Sequence, residues 1–230
     1  MPIFQLNNEL EFPPVELTES DGLLAVGGDL SVERLLLAYQ KGLFPWFNED
    51  DPILWWSPDP RFVLYPNKLH ISRSMRRKLN QKAFRVTINM CFDQVIANCK
   101  SVGRKEQEGT WITDEMKAAY TELHKLGFAH SVEVWQGEQL VGGMYGVAMG
   151  KCFFGESMFS LVANASKYGF IKFVQFLEQH NFELLDAQVH TDHVESLGAT
   201  HVSRDFFVKM LPDTIIPPQV FQQQSTFELE

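Results

Sequence analysis

A chain of 230 residues, 45% hydrophobic and 13% aromatic, carries enough apolar side chain for one large domain, or a medium domain with a small companion. Its three cysteines, Cys91, Cys99 and Cys152, have no CxxC spacing and exclude a disulfide framework, and no apolar run approaches the roughly 20 residues of a membrane span. The formal charge of −9 argues against a nucleic-acid partner only until its distribution is read: Arg61, Lys68, Arg73, Arg76, Arg77, Lys78, Lys82 and Arg85 share an acid-free window from Pro60 to Phe92, while the rest of the chain sets 12 bases against 29 acids. Such a block is either a solvated helix face or a phosphate-binding patch. The opening "MPIFQLNNELEFPP" lacks the basic flank and apolar core of a secretion signal, so the expected compartment is the reducing cytoplasm.

Residues 1–62 read as a small turn-rich unit around one helix, "SVERLLLAYQKG", with Ser31 as N-cap and Gly42 as terminator. The stretch "LFPWFNEDDPILWWSPDPR" follows, with Trp46, Trp55 and Trp56 among four prolines, and is expected to be an irregular loop that exposes its tryptophans. Residues 63–230 form the larger unit. It reads as strand "RFVLY", a helix from Ser72 to Gln81, strand "FRVTIN", helix "FDQVIANCKSV", and a helix over 114–126 capped by Thr113. From His130 to Phe159 alternating apolar positions, broken by "QGEQ" and "MGK", predict a three-stranded antiparallel meander. Then come helix "ASKYGFIKFVQFLEQHN", buried strand "FELLDAQV", short helix "TDHVESLG" and last strand "THVSRDFFVKM", and the tail "PPQVFQQQSTFELE" is polar enough to be mobile.

A meander, a helix, a strand, a helix and a final strand behind two early helices resemble the order of the N-acetyltransferase superfamily, an α+β fold with a mixed sheet. The stretch "SMFSLVANASKYG" has no glycine-rich cradle for a pyrophosphate, so acyl-CoA is a poor candidate for the acyl donor.

Candidate chemistry is sparse. His190 and Asp192 in "HTDH" match part of a two-His, one-carboxylate metal site, with His193 and His201 as possible further ligands; a helix N-terminus explains Thr191 and Asp192 equally well. There is no G-x-S-x-G elbow and no cysteine with a base beside it. Asp186 and Gln188 lie two apart in an apolar strand and should share one face, either satisfying local groups or opening on a pocket. Glu156 in "CFFGESMFS" adds a carboxylate to a predicted core strand, with Phe154 and Met158 on its own face. Trp111 before a helix, the other loop tryptophans and the basic block suit nucleobase stacking with phosphate contacts.

The motifs "GLFPWF" (42–47), "WWSPDPR" (55–61), "LHISRSMRR" (69–77), "GTWIT" (109–113), "VGGMYGVAMG" (141–150), "GESMFS" (155–160) and "DAQ" (186–188) together resemble the leucyl/phenylalanyl-tRNA protein transferase family across nearly the whole chain. The resemblance implies an aminoacyltransferase with a small N-terminal domain on an N-acetyltransferase-like domain. It would move Leu, Phe or, less well, Met from aminoacyl-tRNA to proteins beginning with Arg or Lys, marking them for degradation, without cofactor or metal, as a monomer and away from membranes. Carried over by motif, Trp46 and Trp111 hold the terminal adenosine; Glu156, Asp186 and Gln188 form the polar centre; and Met144, Phe153, Met158, Phe170, Phe173, Leu177 and Leu185 make the side-chain pocket. Arg73, Arg76, Arg77, Lys78, Lys82 and Arg85 are the expected contacts to the tRNA backbone. Ala187 and Phe170 depart from the family pattern and touch pocket shape rather than chemistry. On this reading the Gln188 amide oxygen, polarised by Asp186, accepts from the incoming amine, or Asp186 meets the acceptor's cationic side chain itself, and Glu156 meets either the aminoacyl ammonium or adenosine hydroxyls.

Overall fold

The computed structural model describes residues 3–101, 112–211, 215–221 and 226–229. In the first part of the chain, strands β1 (Phe4–Leu6), β2 (Leu23–Gly27), β3 (Phe44–Pro45) and β4 (Leu54–Trp56) make a four-stranded sheet in the order β1-β2-β4-β3, with helix α1 (Val32–Gln40) between β2 and β3. Ser31 caps α1 by accepting from the Arg34 N–H. The proline-rich stretch expected to be an irregular loop is therefore a short antiparallel pairing of β3 with β4. Trp55, expected to be exposed, is wholly buried, because its indole N–H donates to the Gly27 carbonyl at 2.9 Å and its ring packs edge-on against Phe12. Of the two neighbouring tryptophans, Trp56 is half-buried and Trp46 is 42% exposed.

The second sheet begins with β5 (Arg61–Leu64), followed by α2 (Arg73–Asn80), β6 (Arg85–Ile88), α3 (Phe92–Ser101) and α4 (Asp114–Lys125). The meander is β7 (Ala129–Gln136), β8 (Gln139–Met149) and β9 (Cys152–Ser160), and then come α5 (Ala165–Gln179), β10 (Leu184–Asp186), α6 (Asp192–Glu195), β11 (Thr200–Val202), α7 (Arg204–Lys209) and β12 (Phe227–Glu228). These strands form one eight-stranded sheet, β11-β5-β10-β9-β8-β7-β6-β12, in which only β9 and β10 run parallel. The protein is thus mixed α+β, built on two mixed sheets. One face of the large sheet packs Tyr145, Val147 and Phe154 against α3, α4 and the first part of the chain, including Tyr39 and Trp55; the other packs Ala148, Phe153 and Leu185 against α5.

Three other expectations change. The segment read as a last strand is strand only over Thr200–Val202, after which Ser203 caps the helix α7. The strand "FELLDAQV" stops at Asp186, since Gln188 takes a left-handed conformation (φ 62°). The tail is docked rather than free over its described residues: Phe221 is fully buried and stacks on His130 at 3.8 Å, and β12 pairs with β6.

The pairing of β8 with β9 slips between Tyr145 and Gly146, which face Ser157 and Gly155, so Glu156 is the extra residue of a β-bulge. The bulge moves Met158 to the face of Phe153, away from Phe154, contrary to simple alternation. Gly146 makes room for it, since a Cβ there would sit 2.2 Å from the Phe154 carbonyl oxygen. Gly146→Ala is expected to cost about 2 kcal/mol or more of folding free energy, read as a lower urea midpoint; an unchanged midpoint would show that the bulge relaxes freely.

Candidate active site

Two buried groups converge on the point where β9 and β10 part. Arg61 opens β5 and is 1% exposed; its Nε and Nη2 donate to the two carboxylate oxygens of Asp186 at 2.8 and 2.6 Å. Its Nη1 donates to the Gly42 carbonyl at 3.1 Å, and the guanidinium lies over the rings of Phe44 and Phe207, 4.8 and 4.5 Å from their centroids. A bidentate partner and a further carbonyl satisfy the charge, which explains why a basic residue begins a fully buried strand. Arg61 therefore leaves the basic block, and Asp186, with no exposed surface, is in no position to meet an acceptor side chain. Its Oδ1 also accepts the Gln188 backbone N–H at 2.9 Å, so Asp186 fixes the left-handed turn and does not bond the Gln188 side-chain amide.

That turn aims Gln188 at Glu156: its Nε2 donates to Oε1 at 2.9 Å. Tyr39 from α1 donates to the same oxygen at 2.8 Å, and Tyr120 from α4 to Oε2 at 3.0 Å. When ionised a carboxylate offers about four acceptor sites, so the three donors among the described residues leave one on Oε2. The two tyrosine hydroxyls also touch each other at 2.5 Å. Burial pushes Glu156 up to about 7, against the lowering pull of Tyr39 and Tyr120. Burial and the nearby carboxylate hold both tyrosines well above the usual phenol range.

Glu156 lines a cleft of about 370 Å³. Met144, Met158, Phe170 and Leu185 supply apolar wall, and Ser157, Ser160, Ser166, Thr191 and His193 supply polar wall. Phe153, Phe173 and Leu177, assigned to the same pocket by motif, stand behind it, fully buried in the shared core. Trp46 is not among the cleft's lining residues; its ring leans on Trp56 at 5.9 Å. Trp111 lies outside the described residues.

On α2, Met75 is the buried anchor, Arg73, Arg76 and Arg77 are exposed and Lys78 is half-buried. Lys82 is exposed beyond the helix, and Arg85 lies over the Trp135 ring at 5.1 Å with Glu228 3.9 Å away. His190, Asp192 and Glu195 bring one donor atom each within 4.8 Å of one another, all exposed, whereas His193 turns into the cleft wall and His201 stacks on His190. Burial pushes Cys91 and Cys99 up to about 12 and Cys152 well above the thiol range, so none offers a ready thiolate. Among the described residues no helix is long and apolar enough to cross a membrane.

Sequence reading missed Tyr39, Tyr120 and the role of Arg61. Both tyrosines sit at helical spacing among core residues and look like packing; only the charge opening "RFVLY" signalled a buried partner.

Comparison with known proteins places this site in context. Residues 63–212 match the family model described as leucyl/phenylalanyl-tRNA protein transferase, and residues 28–59 match that of its N-terminal domain. Proteins named leucyl/phenylalanyl-tRNA--protein transferase from Flavobacterium johnsoniae, Syntrophus aciditrophicus and Cellvibrio japonicus are 54%, 52% and 57% identical to it. The alignments cover 91%, 98% and 88% of this chain and 99%, 95% and 86% of those relatives. The solved structure of L-PGS from Bacillus licheniformis overlaps 60% of this chain and 48% of its own at 12% identity, with a TM-score of 0.41, too distant to carry an argument.

Because Glu156 keeps its proton in the folded state up to about pH 7 and loses it near 4.5 when unfolded, raising the pH through that window weakens the fold, and the penalty is complete above it. Glu156→Gln does not titrate, so the melting temperature of the wild type relative to this variant should fall as pH rises from about 4.5 to about 7. A constant difference across that range would remove the proton from Glu156.

Proposed function

The chain belongs to the leucyl/phenylalanyl-tRNA protein transferase family, an aminoacyltransferase family, and from that premise we propose that it moves Leu, Phe or, less well, Met from aminoacyl-tRNA to the N-terminal Arg or Lys of cytoplasmic proteins, creating a degradation signal. The observation that carries the reading is the Glu156 constellation beside a Met- and Phe-lined cleft. Residues 1–62 act as a small N-terminal domain and residues 63–230 as an N-acetyltransferase-like catalytic domain, a division supported by the meander, helix and parallel strand in that order. The protein works as a monomer.

An aminoacyl ester is already activated, so no cofactor is needed. The acceptor's α-amine attacks the ester carbonyl carbon, a C–N bond forms, the C–O bond to the terminal ribose breaks, and the amine's proton ends on the departing oxygen. An α-amine with a pKa of about 7.7–8.0 is partly neutral near pH 7 and needs orientation more than a strong base. Gln188 is suited to that task. Glu156 fixes its Nε2, which turns the amide oxygen outward to accept from the amine. Asp186 is a positioning residue that works through the Gln188 backbone. The vacant site on Glu156 meets the aminoacyl ammonium or a ribose hydroxyl of the terminal adenosine, which Trp46 and Trp111 flank.

The aminoacyl side chain enters the wall of Met144, Met158, Phe170 and Leu185, backed by Phe153, Phe173 and Leu177. Flexible thioethers and rings accept unbranched and γ-branched chains, and shape selects by only about 1–3 kcal/mol per methylene, so Met leaks through. Arg73, Arg76, Arg77, Lys78, Lys82 and Arg85 hold the tRNA backbone.

Purified protein with Leu-tRNA and an Arg-initiated peptide should yield Leu-peptide without ATP or CoA; no product from active charged tRNA would sink the assignment. Replacing Arg76, Arg77 and Lys78 together by Ala should weaken tRNA binding and flatten its salt dependence by about three phosphate contacts' worth of slope. Unchanged binding would return the cluster to a solvated helix face.

A further inference from the structure

Strands β9 and β10 pair only over Cys152–Phe154 with Leu184–Asp186. Beyond Asp186 the chain stays with β5: the Ala187 N–H donates to Phe62 at 2.9 Å, and the Phe62 N–H to the Gln188 carbonyl at 3.3 Å. β9 instead bends at the Glu156 bulge and runs on to Ser160, covered by β8 on one side. From Ser157 to Ser160 its other edge has no strand neighbour among the described residues. Unpaired edges attract extended chains, and proteins normally cover or blunt them. This one lies open in a recess, between Ser166 and Phe170 of α5 and Thr191 to Val194. Those walls keep a second sheet from stacking flat against it while admitting a single chain.

We propose that the free edge of β9 from Ser157 to Ser160 binds the first residues of the acceptor polypeptide as an added parallel strand, in the lane that β10 vacates. The inference rests on the transfer reaction proposed above. The lane is continuous with the cleft that holds Glu156, and the product is a peptide bond, so the acceptor's main chain must leave from that point. With the α-amine at the Glu156 end, the next residues run toward Ser160 past Ser157, Ser160, Ser166 and Thr191. Four strand residues span about 13 Å. Main-chain pairing is indifferent to side chains, which suits an enzyme that must accept many proteins sharing little beyond the first residue.

The test is a series of Arg-initiated peptides in which the backbone amides of residues 2 to 5 are replaced one at a time by esters, removing one N–H each. An added strand turns alternate amides toward β9, so kcat/KM for the acceptor should fall about 3–10-fold at alternate positions and stay near the parent value between them. The KM for Leu-tRNA should not move. A flat scan, or equal losses at every position, overturns the proposal, and a flat scan accompanied by dimers in sedimentation gives the edge to a second copy of the chain. If the all-amide parent peptide accepts no Leu, the transfer reading itself fails, and this proposal with it.

Discussion

The buried pair between Arg61 and Asp186 joins more of this protein than any other contact. Arg61 starts a strand of the large sheet, Asp186 ends its neighbour, the Gly42 carbonyl and Phe44 ring come from the first part of the chain, and Phe207 comes from α7. An ion pair removed from water is costly unless good geometry and further hydrogen bonds compensate, and here each guanidinium nitrogen and both carboxylate oxygens find a partner, drawing four segments to one point. Removing either partner would leave the other charged and dry. The pair thus ties the two parts of the chain together and fixes where β10 stops.

From that stop follows the site. The Asp186 carboxylate, already committed to Arg61, also captures the Gln188 N–H and forces a turn that an uninterrupted strand would not contain. The turn and the bulge at Glu156 lie on opposite sides of the β9–β10 seam, one on each strand. Both deviations from regular pairing serve the same contact, the Gln188 amide on the Glu156 carboxyl. Without the bulge, Glu156 and Met158 would share a face, and the polar centre would lack its apolar wall.

The tyrosines give the carboxyl its character. Tyr39 and Tyr120 arrive from helices on one face of the sheet, while the cleft that Glu156 borders is walled by residues of the other, Met144, Phe170 and Leu185. The group is thus gripped from behind and presented forward, with one acceptor site left over. A carboxyl held near neutrality by burial, rather than in the usual carboxylate range, is sensitive to whatever donor fills that site.

Much of the framework was legible in the chain itself. Ser31, Ser72, Thr113, Thr191 and Ser203 cap their helices through their own side chains, and all but Ser203 mark starts expected from local pattern. The meander, the basic helix and the oddity of Glu156 were equally local signals. The failures share a cause. Trp55 looked exposed because prolines surround it, yet a distant carbonyl and Phe12 bury it; the tail looked free because it is polar, yet Phe221 and β12 find partners in the sheet. Local pattern determined which segments become helix or strand and which residues are chemically unusual. Tertiary structure alone decided that Arg61 belongs to Asp186 rather than to the basic surface, that Tyr39 and Tyr120 grip Glu156, and that β10 abandons β9. Each of these joins residues far apart in the chain, and burial rather than sequence neighbourhood sets its energy.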